Sequence, residues 1–292
     1  MSAPSDASVF EQARPRLLGV AYRILGSRAD AEDAVQDAFI KWQGADRDAI
    51  DNPDGWLTTV CTRRCIDMLE AAHRTRVDYV GTWLPEPVLS VSADDDALEL
   101  SSSLSTAFLL MLERLTPKER AAYLLHDILD MDYADVASTL GMEEAACRKL
   151  ISRARQNIER DKVRHVTPVA QQEKLLAAFQ DATSGGDVQR FMALLSDDIR
   201  LSSDSGGKVS AVPRTLVGKA DILAFLENAQ RWWYTYRWVE MDINGGRGVV
   251  LIGDGEPVAA MSFAYDEEGR ASDIYIMRNP DKLARLNNPA IS

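Results

Sequence analysis

The sequence predicts a multidomain chain in which two all-α helical domains, the second ending in a helix-turn-helix, precede an α+β domain built on a curved sheet. Three observations predict it. Apolar residues recur every three to four positions as far as about residue 160, and beyond about residue 168 much of the chain alternates with period two. The stretch 81–96, GTWLPEPVLSVSADDD, interrupts the helical pattern with two prolines, serines and an acidic run. Length alone allows about two domains. The patterning divides the chain further, into 1–80, a linker at 81–97, a second helical segment at 98–165 and the α+β domain at 169–292.

Between Val9 and Gln43 two amphipathic helices are expected, broken at Gly26 and Ser27. The first buries Phe10, Leu17, Leu18, Tyr22 and Leu25, and the second Ala34, Val35, Ala38, Phe39 and Trp42. Asp30 is positioned as the cap of the second, and Glu32, Asp33 and Asp37 follow where acidic side chains favour the helix dipole. A polar loop, Gly44 to Asp51, leads to Asn52 as cap and Pro53 as the first helical residue. The long helix that follows carries Trp56, Leu57, Val60, Cys61, Cys65, Met68 and Leu69 on one stripe, with Arg63, Arg64, Arg74 and Arg76 elsewhere. Helix resumes near Leu98, with Leu104, Phe108, Met111, Leu112 and Leu115 as its stripe. Thr116-Pro117-Lys118-Glu119 then reads as a capping box opening a helix that buries Leu124, Leu125 and Ile128.

Asp132 to Arg164, DYADVASTLGMEEAACRKLISRARQNIERDKVR, runs against the background charge. Asp132 is placed to cap a short helix with Val136, Ala137 and Leu140 on one face, and Gly141 to end it in a left-handed conformation. In the next helix Ala146, Leu150, Ile151, Ala154 and Ile158 form the apolar face. Glu144, Arg148, Lys149, Ser152, Arg153 and Arg155 are left outward, the layout of a DNA-reading helix-turn-helix. The plainer alternative is a helical hairpin with a solvated basic face.

After a hinge at 166–168, helices are expected over Gln171 to Thr183, Val188 to Leu195 and Lys219 to Arg231. Strands are expected over Ile199 to Ser203, Val209 to Leu216, Tyr234 to Ile243, Gly248 to Ile252, Pro257 to Tyr265 and Ser272 to Arg278. Asn244-Gly245 and Asp254-Gly255 are hairpin signals, so an antiparallel meander wrapped on a helix is the expected form. The aromatic cluster RWWYTYRW at Arg231 to Trp238 reads as core ahead of ligand pocket.

The N-terminus has neither a basic nor an apolar leader segment, and no apolar run approaches the roughly 20 residues that span a bilayer, so a cytoplasmic protein without a membrane partner is expected. Three cysteines suit reduced thiols. Cys61, Cys65 and His73 lack a fourth ligand at zinc spacing, and neither metal nor cofactor is expected. A net charge of −12 argues against tight DNA binding by this chain alone, because that affinity comes from neutralised phosphates. Recognition by the basic helix needs a partner that brings it to DNA.

ADAEDAVQDAFIKW at Ala29 to Trp42, PDGWLTTVCTRRCIDML at Pro53 to Leu69 and the helix-turn-helix together resemble the extracytoplasmic-function sigma factors of bacterial RNA polymerase. TWLPEP at Thr82 to Pro87 and NPDKL at Asn279 to Leu283 resemble the subgroup with a fused C-terminal SnoaL-like domain, a curved-sheet cone. The resemblance implies partners, core polymerase through its β′ clamp and β flap and promoter DNA. It assigns Asp30, Asp33, Gln36 and Asp37 to polymerase, and Trp56, Arg63, Arg64, Arg74 and Arg76 to the minus-ten element. Glu144, Arg148, Lys149 and Ser152 would read the minus-thirty-five element, with Arg153 and Arg155 on phosphates. Trp83, Leu84, Pro85, Glu86 and Pro87, the turn Asp204, Gly206, Gly207 and Lys208, and Asn279, Pro280, Asp281, Lys282 and Leu283 would form a regulatory set.

SnoaL-like folds also host isomerases and cyclases, which makes an appended enzyme the rival reading, and a small ligand of unidentified chemistry in this domain a further partner. Asp204, Asp242 and Asp273 are the candidate bases, and Tyr234, Tyr236, Tyr265 and Tyr275 the candidate oxyanion donors, but their spacing selects no pair. No catalytic residue is therefore assigned, and a non-enzymatic initiation factor is expected. A third reading, a helix-turn-helix repressor, calls for a dimer binding DNA without polymerase.

Overall fold

The computed structural model describes residues 6–75, 79–89, 105–159 and 167–286. The chain forms two compact units: Met1–Val77, Asp96–Leu100 and Met111–Asp161 make the first, and Asp78–Asp95, Ser101–Leu110 and Lys162–Ser292 the second.

In the first unit α1 (Asp6–Leu25), α2 (Arg28–Gln43) and α3 (Pro53–Thr75) bury Leu17, Ile24, Ala34, Ala38, Leu57, Cys61 and Cys65 against one another. Ser27, not Asp30, caps α2. Gly26 turns the chain at φ +69°, and the extended Ser27 accepts a hydrogen bond from the Asp30 N–H at 3.2 Å, leaving Asp30 in the first turn. Asn52 caps α3 as expected, its Oδ1 accepting from the Gly55 N–H at 3.0 Å.

Residues 98–104 of the helix expected from Leu98 lie outside the described residues, and its described part is α4, which begins at Thr106 and ends at Leu112, short of Leu115. Next, α5 (Pro117–Tyr123) opens with the full Thr116–Glu119 capping box, and a π-turn over Leu124–Ile128 leads towards α6 (Tyr133–Leu140). Gly141 ends α6 at φ +63°, and α7 (Glu144–Glu159) follows. Asp132 occupies the cap position of α6 but makes no side-chain cap bond. On α7 Cys147 is buried with Leu150, Ile151, Ala154 and Ile158, while Ala146 is exposed. Cys147 is three, four and seven residues before Leu150, Ile151 and Ala154, so it shares their stripe and Ala146 falls one step off it.

The α3 helix packs on α6. The Arg63 guanidinium donates to the Thr139 carbonyl at 2.8 Å and the Ser138 carbonyl at 2.9 Å, and the Thr59 and Thr139 hydroxyls lie 3.1 Å apart. These carbonyls end a helix, where a cation is favoured.

The second unit runs α8 (Val169–Thr183), α9 (Val188–Met192), β1 (Leu195–Asp204), β2 (Leu216–Val217), α10 (Lys219–Trp233), β3 (Arg237–Ile243), β4 (Gly246–Gly253), β5 (Glu256–Tyr265), β6 (Ala271–Met277) and α11 (Pro280–Leu283). The open sheet has the order β2-β1-β6-β5-β4-β3. The meander β3–β6 is antiparallel, with positive φ at Asn244, Gly245, Asp254 and Gly255 as the two hairpin signals require. A mixed sheet replaces the purely antiparallel one, because β1 lies parallel to β6. The crossover through β2, α10 and the meander returns the chain beside β1 in that direction. The expected strand Val209–Leu216 is a bent segment containing Pro213, which lacks a ladder donor, and only Leu216–Val217 pairs. Helix α10 extends to Trp233, so the strand expected from Tyr234 starts at Arg237.

Alternation along the strands builds two cores. Val249, Leu251, Met261, Ile274 and Ile276 face one side, with Phe179 of α8, Phe191 of α9 and Trp233 of α10. Val250, Ile252, Ala260, Tyr275 and Met277 face the other, covered by Leu84, Leu89, Ala107 and Leu283. The described part of the expected linker, 81–89, is thus a packed layer of the second unit, together with 79–80, which were expected in the first domain: Leu84 is 1 % exposed, and Pro85, Glu86 and Pro87 are buried. An apolar sheet face needs a cover, and this segment provides one. Asn244 pins it, its Oδ1 accepting from the Val88 N–H while its own N–H donates to the Val88 carbonyl, both at 2.8 Å.

Candidate nucleic-acid interface and regulatory latch

Glu144, Arg148, Lys149 and Ser152 stand out into solvent on α7. The stripe from Cys147 to Ile158 that anchors α7 leaves Lys149 and Ser152 on the opposite arc of the helix, with Glu144 and Arg148 flanking it. Arg148 is oriented by Glu144, one turn earlier, with Nε–Oε1 at 3.0 Å, and its guanidinium lies over the Tyr133 ring at 4.1 Å from the centroid. Arg153 is exposed, 4.0 Å from Glu119. Arg155 differs from the others: it donates to Asp127 at 2.8 Å, a bond that raises its affinity for the proton.

On α3 two of the expected minus-ten arginines, Arg63 and Arg64, are engaged within the protein. Arg63 holds the α6 carbonyls described above, and Arg64 donates to Asp37 of α2 at 2.6 Å. Two residues assigned to different partners, Arg64 to DNA and Asp37 to polymerase, therefore pair with each other. Trp56 is half-buried, its ring 5.7 Å from that of Trp42. The side chain of Arg74, and Arg76 altogether, lie outside the described residues, as does the side chain of His73.

Asp33 and Gln36 are exposed on α2, Asp30 and Asp37 half-exposed. Ile40, 57 % exposed, lies three and four residues beyond Asp37 and Gln36 on the same face. Sequence reasoning passed over Ile40; its signal was an apolar residue displaced from the stripe Ala31, Ala34, Val35, Ala38 and Trp42.

In the second unit the turn and both motifs converge on Asp204, which is wholly buried. Its carboxylate accepts from the Tyr79 hydroxyl at 2.5 Å, the Leu84 N–H at 2.9 Å, the Gly206 N–H at 3.0 Å and Lys282 Nζ at 2.7 Å. Lys282 also donates to the Leu84 carbonyl at 2.6 Å, and its ammonium lies over the Trp83 ring, 4.5 Å from the centroid. Asn279 caps α11 through the Asp281 N–H and donates to the Tyr79 hydroxyl at 3.1 Å, while Lys208 pairs with Asp281. A side chain at Gly206 would put Cβ 2.5 Å from Asn279 Nδ2, and φ is +59° there and +71° at Gly207, so both glycines are required by the turn. Tyr79 belongs to this latch and lies outside TWLPEP.

The candidate bases are spread apart. Asp204 is in the latch, Asp242 pairs with Arg247 at 3.2 Å, and Asp273 accepts from Arg200 at 2.7 Å. Burial pushes the Asp273 carboxyl up, and the Arg200 guanidinium opposes that shift. Tyr234 is 71 % exposed, whereas Tyr275 is part of the outer core. Trp233 and Trp238 pack edge-on against Phe179, with centroids at 6.1 and 5.8 Å, within the core on the side of the sheet that α8, α9 and α10 cover. Among the described residues no three His, Cys, Asp or Glu side chains gather as a metal site, and no helix is long and apolar enough to cross a membrane.

A helical pair carrying a helix-turn-helix, joined to a mixed-sheet domain, defines a DNA-binding transcription protein with an accessory domain. Comparison with known proteins makes this specific. Residues 9–75 match Sigma-70 region 2, and residues 105–158 match Sigma-70, region 4. The chain is 37 % identical to the ECF RNA polymerase sigma factor SigJ of Mycobacterium tuberculosis over 76 % of its own length and 72 % of that protein. It is 29 % identical to a second protein of that organism, named "Probable ECF RNA polymerase sigma factor SigI", over 94 % of this chain and 93 % of that one. The crystal structure of SigJ superposes with a TM-score of 0.75 at 32 % identity, covering 95 % of this chain and 98 % of SigJ. The chain belongs to the extracytoplasmic-function family of RNA polymerase sigma factors, which bind core polymerase and direct initiation at particular promoters.

Proposed function

We propose that this sigma factor divides promoter reading between α7 and α3 and that its C-terminal, SnoaL-like domain modulates the activity in cis through the Asp204 latch. Glu144, Arg148, Lys149 and Ser152 read base edges of the minus-thirty-five element, and Arg153 grips phosphate. Arg63 and Arg64, once released from α6 and Asp37, follow the minus-ten strand, with Arg74, Arg76 and Trp56 beside them. Asp30, Asp33, Gln36 and Asp37 around exposed Ile40 dock on the β′ clamp, and the region 4 helices meet the β flap. Polymerase, in the cytoplasm, then supplies the nucleic-acid affinity that a chain of net charge −12 lacks. The C-terminal domain acts without catalysis, since Asp204, Asp242 and Asp273 are each tied to a cation or to backbone donors.

The observation that carries the regulatory reading is the bonding of Asp204 to residues of three separate segments, 79–84, 204–206 and 282. The first of these belongs to the chain that joins the region 2 helices to the region 4 helices in sequence. Transcription in vitro with core polymerase and a genomic fragment library tests the whole reading. Specific initiation is expected from the full chain or from a chain truncated near residue 166, with different output from the two. The same output from both sinks regulation in cis, and no specific initiation from either sinks the promoter reading.

A further inference from the structure

The chain between α5 and α6 takes an unusual course. The Leu129 N–H donates to the Leu124 carbonyl, five residues back, and the Met131 N–H to the Leu125 carbonyl, both at 3.0 Å. Between them Asp130 takes φ +54°, a left-handed conformation that costs an L residue free energy and persists where surrounding contacts fix it. Turns with such an inserted residue are frequent at functional positions. This one delivers two rings. His126 Nδ1 lies 2.7 Å from the Met131 carbonyl, and because a carbonyl only accepts, Nδ1 carries the proton. The imidazole packs on Tyr133, the first residue of α6, with centroids 4.0 Å apart and planes tilted by 34°.

Tyr133 in turn lies under the Arg148 guanidinium, 4.1 Å from ring centroid to Cζ. Glu144 Oε1 accepts from Arg148 Nε at 3.0 Å and also from Nη2. A guanidinium is a rigid plane, and a carboxylate on its Nε/Nη2 edge leaves the end formed by Nη1 and Nη2 with two parallel N–H donors. The side chain is still 57 % exposed. A long, flexible arginine is thereby reduced, before DNA arrives, to a held plane with an open donor pair. In the major groove guanine presents two acceptors side by side, O6 and N7, whereas adenine sets an acceptor beside a donor. Two parallel donors match guanine.

We propose that Tyr133 is a positioning residue for promoter reading: as a shelf under Arg148 it fixes the guanidinium plane, so that Arg148 selects guanine at one position of the minus-thirty-five element. The proposal rests on the reading that the first turns of α7 meet the bases of that element. Holding the plane spares the ordering cost that a mobile arginine meets on binding. Loss of the shelf therefore falls on one base contact and leaves neighbouring phosphate contacts as they were.

Transcription in vitro with core polymerase tests this on a promoter recovered with the native chain, its minus-thirty-five element randomised and each template marked by a barcode in its transcript. The native chain is expected to favour guanine at one position by about tenfold, the scale of a bidentate arginine contact. Arg148→Ala should flatten that position. Tyr133→Leu and Tyr133→Gln lack a π face and should cut the preference to about threefold, a loss the size of an exposed cation–π contact, with every other position unchanged. Tyr133→Phe keeps the face and should keep the preference. Thermal melting checks folding, and a folding defect would lower output at all positions together. The shelf is overturned if Arg148→Ala flattens one position while Tyr133→Leu and Tyr133→Gln keep the native preference or lose output equally everywhere, or if Tyr133→Phe loses the preference as they do. If Arg148→Ala alters no position, the base-reading role of Arg148 fails and the shelf with it.

Discussion

The outer face of α7 and the Asp204 latch use the same chemical groups to opposite ends. On α7, Lys149, Ser152 and Arg153 stand in solvent on a helix anchored from behind by Cys147, Ile151 and Ala154. In the latch a wholly buried carboxylate accepts four hydrogen bonds and faces an ammonium whose side chain is 14 % exposed. Polar groups left open are available to a partner; polar groups satisfied internally hold the chain together. The face of α3 lies between these extremes, because Arg63 and Arg64 are borrowed by α6 and Asp37.

The contrast breaks most visibly at the latch. Asp204→Asn leaves the Lys282 ammonium buried without its counter-charge and should cost about 3–5 kcal/mol of stability in the second unit, read as a lowered unfolding midpoint in denaturant. A midpoint within error of the native chain would mean that the latch is not a buried ion pair in solution. Lys149→Ala should do the reverse. Melting stays unchanged while promoter-specific initiation falls by about 1–3 kcal/mol in apparent affinity, the worth of one good base contact. Equal loss on promoters altered at every minus-thirty-five position would make Lys149 a phosphate contact instead.

Arg63→Ala tests the intermediate case, where one side chain serves two states. Losing its bonds to Ser138 and Thr139 should lower stability by about 1 kcal/mol, and minus-ten opening, followed by permanganate footprinting with polymerase, should fall as well. Opening that improves would assign Arg63 solely to holding α3 on α6. The smallest effect separates two helix starts. Ser27→Ala should cost about 1 kcal/mol and Asp132→Ala less than about 0.5 kcal/mol, since only Ser27 makes its cap bond. Equal losses by thermal melting would contradict that assignment.

Most of the first unit was legible in the sequence because its rules are local. The Thr116–Glu119 box, the left-handed Gly141 and the basic arc of α7 each follow from residues within two turns of one another. The same holds for the hairpins at Asn244-Gly245 and Asp254-Gly255. Locality also explains the slips at Ala146 and Asp30, where a neighbouring residue satisfied the same rule better.

What the sequence by itself determined, then, is the helical and strand periodicity, the helix-turn-helix and the motifs that place the chain in its family. Tertiary structure decided the rest. Whether Arg63 faces solvent or a helix end, whether β1 runs parallel to β6, and whether TWLPEP is a tether or a layer all depend on partners more than 70 residues away. Burial there is set by what an apolar sheet face needs covered and by where a buried carboxylate finds its donors, and no local pattern of side chains encodes either.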